Sequence, residues 1–207
     1  MASPPIGKAR LYGILDTGYC TLEAMPRVLE QMILGGIDVV QLRAKGRTQI
    51  EIRSWIPQLH ALTRAAGIPL IVNDFHELAD LADGIHVGQD DAQLAAVRKA
   101  CVGSKMIGKS THSLAQAIAA QAEGADYIGF GPLFPTPTKA GRPAIGLEEI
   151  AAVHHHVSLP VFCIGGIKRD NLPQVIAAGA RRVVIVSGIL QAVDIPGYIS
   201  DCKALLP

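Results

Sequence analysis

The fold class predicted for this chain is α/β, a single-domain (β/α)₈ TIM barrel spanning residues 1–207, and three observations lead to it. Short apolar runs rich in β-branched residues alternate with amphipathic stretches from end to end. No long linker interrupts that alternation. Hydrophobic residues make up 49% of the chain but aromatics only 4%, so Ala, Val, Ile and Leu must build the core. That composition suits parallel strands covered on both faces. Regular strand–helix alternation implies a parallel sheet with right-handed crossovers. Pattern alone does not show closure, so a doubly wound open sheet is the alternative.

Composition also excludes. The net charge is +1 and no long charged block appears, so neither nucleic acid nor a membrane surface is an expected partner. Cys20, Cys101, Cys163 and Cys202 are far apart and form no C-x-x-C pair. They read as free thiols of a cytoplasmic protein. The opening "MASPPIGKARLYGILD" lacks the apolar stretch of a signal peptide, and no run approaches the ~20 residues that span a bilayer.

The strands are expected at 10–15, 38–43, 69–74, 84–88, 105–110, 126–131, 160–166 and 182–188. Helical patterns lie between them at 21–35, 48–66, 75–82, 90–101, 112–124, 147–156, 170–179 and 189–206. In "EGADYIGF" and "AGARRVVIV" a helix ends at Gly124 or Gly179, and a charged residue leads into the next strand. Gly35 and Gly36 before "IDVVQL" repeat the theme. These glycines read as left-handed helix ends.

In such barrels chemistry sits after the strands, at their C-terminal ends. After the second strand, "QLRAK" sets Gln41, Arg43 and Lys45 on one face if the strand runs through them. Two cations and an amide there suit an anion, although side chains snorkelling to water would also fit. After the third and fourth strands come Asn73–Asp74 and Gln89–Asp91. Neighbouring strands lie about 4.8 Å apart, so Asp74 and Asp91 could converge and hold a hard cation such as Mg²⁺. Asp90 is an alternative ligand, and helix capping by Asp74 and Asp90 is the plainer reading. After the fifth strand, Ser110, Thr111 and His112 resemble a helix start.

The loop "GPLFPTPTKAGRP" follows the sixth strand. Its prolines fix φ and can hold Thr136, Thr138 and Lys139 in place before a ligand arrives. "IGGI" and "VSGI" follow the seventh and eighth strands, with Gly165, Gly166, Val186 and Ser187. Backbone N–H groups of glycine loops and a helix N-terminus after the last two strands suit phosphate. The rim therefore carries two anion sites, as two phosphorylated small-molecule substrates would require. "HHH" at 154–156 is not a metal site, because consecutive helical residues point about 100° apart.

Taken in order, "VVQLRAKG", "LIVND", "DGIHVGQDD", "IGKSTHS", "ADYIGFGPLFPTPTK", "PVFCIGGI" and "VVIVSGI" closely resemble the thiamin phosphate synthase family. The resemblance implies a Mg²⁺-dependent (β/α)₈ enzyme that joins a hydroxymethylpyrimidine pyrophosphate to a thiazole phosphate through a dissociative, carbocation route. By resemblance, Gln41, Arg43, Lys45, Asn73 and Lys139 would bind the pyrimidine pyrophosphate, with Ser110, Lys139 and Arg43 at the reacting centre. Asp74 and Asp91 would hold Mg²⁺. Thr136, Thr138, Gly166, Val186 and Ser187 would hold the thiazole phosphate. A homodimer is implied too. The sequence departs from the family at Phe75, where Arg is common, and in a slightly shorter segment between "ND" and "GQDD". The rival is the related thiazole tautomerase, which uses a histidine placed like His112 and needs no pyrophosphate site. A phosphate-ligand sensor is a third reading; it would not need both carboxylates.

Overall fold

The computed structural model describes residues 6–101, 103, 105–136 and 143–207. Eight parallel strands close into a barrel in sequence order: β1 (Leu11–Asp16), β2 (Val39–Arg43), β3 (Leu70–Asn73), β4 (Gly84–Val87), β5 (Met106–Thr111), β6 (Tyr127–Phe130), β7 (Val161–Cys163) and β8 (Val183–Ile185). Pairing of β1 with β8 completes the ring, which settles the choice against an open sheet. Around it run α1 (Met25–Leu34), α2 (Gln49–Ala66), α3 (Leu94–Ala100), α4 (Leu114–Ala122), α5 (Ile150–His156), α6 (Leu172–Ala177), α7 (Ser187–Leu190) and α8 (Ile195–Leu205).

Strand alternation sorts the apolar residues into two cores. Leu11, Leu15, Val40, Leu42, Val72, Ile85 and Val87 face outward and pack with the helices. Tyr12, Ile14, Val39, Ile71, Tyr127, Phe162 and Val184 face inward and fill the barrel. The inner layer is aromatic: Phe162 meets Tyr12 edge-on at 5.4 Å and Tyr127 at 5.8 Å between ring centroids. Gly108 makes this possible, since a Cβ there would lie 2.1 Å from the Tyr127 ring.

Some helix starts have a local side-chain cause. Thr48 and Glu51 form a reciprocal capping box at α2, and Ser113 caps α4 by accepting from Gln116 N. Two expectations change. The third helical pattern, 75–82, is a 3₁₀ turn over His76–Leu81, where the short link between β3 and β4 leaves no room for an α-helix. The stretch 189–206 divides into α7 and α8, because Asp194 accepts from Gly197 N at 3.0 Å and Pro196 fits the first turn of a new helix. Gly36, Gly124 and Gly179 all take positive φ, as expected of helix ends, but Gly35 does not: at φ −73° it continues the right-handed turn of α1, and Gly36 makes the left-handed stop. All four cysteines are free. No described helix is long and apolar enough to cross a membrane.

The N-terminal rim of the barrel repeats one device. Asp38, Asp83 and Asp126 each stand just before an even-numbered strand. Each donates its own N–H to a C=O at the start of the preceding strand: Leu11 (3.1 Å) and Leu70 (2.9 Å), the first residues of β1 and β3, and Ile107 (2.8 Å), the second of β5. Each carboxylate accepts the N–H of that same residue, at 2.9, 2.9 and 2.7 Å. A basic residue backs each clamp: Lys203 at 2.6 Å from Asp38, His60 at 3.2 Å from Asp83 and Arg98 at 2.7 Å from Asp126. Before β8 the position belongs to Arg182, which has no acceptor and instead donates to Gly7 O. Burial and the charges of Arg181 and Arg182 push His154, at the same rim, down to about 4.

Candidate active site

The opposite rim opens into a cavity enclosing about 880 Å³ of space, open solvent included. Gln41, Arg43, Asn73, Ser110, Thr136, Gly166, Val186 and Ser187 all line it. Thus eight positions drawn from six separate segments, in or after β2, β3, β5, β6, β7 and β8, meet in one hollow. Thr138 and Lys139 lie outside the described residues.

Gln41 and Arg43 point inward because they share the phase of Val39 on β2, opposite Ile14 and Asp16 of β1. Arg43 Nη1 donates to Asp16 Oδ2 at 2.6 Å, and the Asp16 side chain is 2% exposed. Lys45 lies beyond the end of β2, so strand alternation does not carry through to it. Its ammonium, 59% exposed, instead pairs with Asp74. Asp74 follows β3 in the left-handed region, with φ 69°. Such a conformation is uncommon for a non-glycine residue and concentrates at functional sites. Asp91 accepts the Gly88 N–H at 2.6 Å and so closes the loop after β4. Neither Asp74 nor Asp90 caps a helix: Phe75 and Gln93 stand at those N-caps, without a side-chain cap bond.

Ser110 belongs to β5 rather than to a helix cap, which is supplied by Ser113. Ser110 Oγ lies 3.0 Å from His86 Nε2. From there a buried chain crosses the barrel: His86 Nδ1 to Tyr127 OH (3.2 Å), Tyr127 OH to Tyr12 OH (3.2 Å), and Gln41 Nε2 donating to Tyr12 OH (2.8 Å). Burial pushes the Tyr12 and Tyr127 hydroxyls well above the usual phenol range, so both keep their protons. Gln41 donates at one end; either hydroxyl can donate in the Tyr12–Tyr127 bond, and the roles at His86 follow its tautomer. These three ring residues, which line the cavity, and Asp16, which backs Arg43 behind it, are what reading the chain missed. Their signal was positional: Tyr12 and His86 interrupt apolar strands in the inward phase.

The proline-rich loop after β6 is stitched to the glycine loop after β7. Leu133 N donates to Ile164 O at 2.9 Å and Phe134 N to Gly165 O at 3.0 Å. Gly165 and Gly166 have φ 99° and 68°. A Cβ on Gly165 would meet Pro132 Cα at 2.4 Å, and one on Gly166 would meet Phe134 Cβ at 2.6 Å. The two glycines are therefore needed for conformation and for contact, which brings their backbone to the cavity wall. His112 also lines the cavity, its Nδ1 bonded to Gly131 O. On the other side Val186 precedes α7, whose first residue, Ser187, lines the hollow.

Residues 11–189 match the family model described as thiamine monophosphate synthase. The chain belongs to that family. A thiamine-phosphate synthase of Chloroflexus aurantiacus is 42% identical over 200 residues, covering 95% of this chain and 92% of that protein. One of Thermus thermophilus is 44% identical over 177 residues, covering 84% and 85%. A solved thiamine phosphate pyrophosphorylase from Pyrococcus furiosus superposes with TM-score 0.86 at 29% identity, over 96% of each chain. A 3-hexulose-6-phosphate synthase shares the barrel, with TM-score 0.69 at 18% identity. Membership of the thiamine monophosphate synthase family makes this chain a transferase of thiamine biosynthesis.

Proposed function

We propose that this transferase joins 4-amino-5-hydroxymethyl-2-methylpyrimidine pyrophosphate to 4-methyl-5-(2-phosphoethyl)thiazole, giving thiamin phosphate and pyrophosphate. The observation that carries the reading is one cavity bounded by two unlike anion-suited walls. Arg43, with Lys45 nearby, is cationic; Gly165, Gly166, Val186 and Ser187 offer backbone. A diphosphate with high charge suits the first, and a monoester suits the second. Between them lie Gln41 and Ser110, polar groups placed for a heterocycle.

In this reading the C–O bond of the pyrimidine methylene breaks first, and its electron pair leaves with pyrophosphate. The thiazole nitrogen lone pair then forms the C–N bond. No side-chain nucleophile is needed, so the residues work by positioning and charge. Arg43, Lys45 and Lys139 would stabilise the departing anion, Asn73 and Gln41 would orient the pyrimidine side, and Ser110 would stand beside the reacting methylene. Thr136, Thr138, Gly166, Val186 and Ser187 would seat the thiazole phosphate.

Mg²⁺ suits the donor set. Asp74 and Asp91 are hard oxygen ligands, and no group of three His, Cys, Asp or Glu side chains that could hold a metal occurs among the described residues. A cation held by one or two carboxylates and completed by phosphate oxygens and water fits that count. When bound it would neutralise charge on the leaving pyrophosphate. Asp74 already faces the ammonium of Lys45, so its surroundings accept a positive partner.

The test is a coupling assay with both phosphorylated substrates, with and without Mg²⁺. Metal-dependent formation of thiamin phosphate supports the reading. No product, together with isomerisation of a thiazole carboxylate phosphate, would replace it with the tautomerase activity. Chromatography with light scattering would show whether the enzyme acts as the homodimer we also propose.

A further inference from the structure

We propose that Asp16 is the positioning residue for Arg43: it sets the guanidinium against the cavity wall that receives the diphosphate. The inference rests on the two-substrate reading above. Asp16 ends β1, directly opposite Arg43 in the β1–β2 register. Both side chains therefore enter the mouth from the same layer. The Asp16 carboxylate is fixed from two sides. Oδ1 accepts the Gly18 N–H at 2.8 Å, and Oδ2 accepts Arg43 Nη1 at 2.6 Å. Backbone turns after β1 hold the residue as well, since Tyr19 N and Cys20 N donate to Asp16 O at 2.9 and 3.1 Å.

A carboxylate 1% exposed is costly to bury unless it is paired and hydrogen-bonded. At the mouth of an anion site it also subtracts from the positive potential that attracts the ligand. A residue that opposes the site's charge yet is so firmly anchored is explained if its benefit is geometric. Arginine has several rotatable bonds, and holding its fork in one orientation before binding removes an entropy cost at the moment of binding. Asp16 does not line the cavity, whereas Arg43 does. Its effect on a ligand is therefore transmitted through the guanidinium.

The test uses Asp16→Asn, which keeps an oxygen for Gly18 N–H and removes the charge that orients Arg43. Pyrophosphate binding is measured by calorimetry with Mg²⁺ present, alongside KM for each substrate. Loss of a charge-assisted bond predicts pyrophosphate binding weaker by about 10- to 100-fold. KM for the thiazole phosphate is expected to stay within about twofold, and Asp16→Asn added to Arg43→Gln is expected to cost no more than about twofold further. Unchanged pyrophosphate binding, an equal loss in the Arg43→Gln background, or parallel rises in both KM values would overturn the proposal. If Asp16→Asn does not fold, Asp16→Glu displaces the same charge by one methylene and is judged by the same split. Asp16-dependent pyrophosphate binding in a wild-type enzyme that makes no thiamin phosphate would sink the reaction assigned above while sustaining this role. A wild-type enzyme that does not bind pyrophosphate would overturn it.

Discussion

The two ends of this barrel use the same chemical parts to opposite ends. At the N-terminal rim, Asp38, Asp83 and Asp126 each accept a strand N–H, and Asp38 and Asp126 also pair with Lys203 and Arg98, so these groups are consumed in closing the structure. At the C-terminal mouth, Asp16 and Asp74 also face cations, but Arg43 lines an open cavity and the Lys45 side chain stays 59% exposed. Carboxylate–cation pairs thus tie down backbone at one end and, at the other, leave cations at or near an open hollow. The lower carboxylates each also hold the N–H of a neighbouring strand, whereas Arg43 ends β2 at the cavity and Lys45 lies beyond it.

The sharpest way to break this comparison is at the mouth. Asp91→Ala is expected to lower Mg²⁺-dependent turnover by about 100-fold or more, with the melting temperature shifted by only a few degrees. Wild-type-like turnover in that variant would remove Asp91 from the metal site. Lys45→Ala should cost turnover about tenfold through a lost charge on the diphosphate, yet change stability by less than about 1 kcal/mol, because an exposed pair contributes little. Denaturant melts and initial rates on the same preparation would check both halves. The lower rim should answer in reverse. Asp126→Ala leaves the Ile107 N–H and Arg98 without their partner, and is expected to cost about 1–3 kcal/mol of stability with turnover per folded molecule unchanged.

The smallest effect concerns the place where the lower rim departs from its own pattern. His154 titrates at about 4 in the folded chain, below the ordinary histidine value of 6.5, because it is half-buried beside Arg181 and Arg182. The unfolded chain therefore binds the proton first. The stability tied to neutral His154 is present above pH 6.5 and is lost as pH falls from there to about 4. In His154→Gln the slope of stability against pH across that window should flatten. An unchanged slope would assign the effect elsewhere.

The barrel was legible because its signals are local. Alternating apolar runs, and glycines such as Gly124 and Gly179 at helix ends, depend only on neighbours in the chain. Much of the mouth was legible for a related reason: Gln41, Arg43, Asn73, Ser110 and Gly166 all stand where strands end. What stayed hidden depends on register. Asp16 looks like an ordinary strand end until β1 is laid beside β2, and Tyr12, Tyr127 and His86 look like core until the inward phase is known. The 3₁₀ turn at His76–Leu81 was misread as a helix because its length limit comes from the strands it joins. The charged residue that leads into alternate strands was visible, but its clamp needs the neighbouring strand to be seen.

The stitching of the loop after β6 to that after β7 has a consequence for anyone altering substrate choice. Pro132 and Phe134 leave no space for side chains at Gly165 and Gly166, so neither loop has an independent shape. A replacement that puts a side chain where Gly165 or Gly166 stands would bring its Cβ within 2.4 Å of Pro132 or 2.6 Å of Phe134, well inside van der Waals contact. Reshaping this wall of the cavity is consequently a matter of moving both segments as a single cassette.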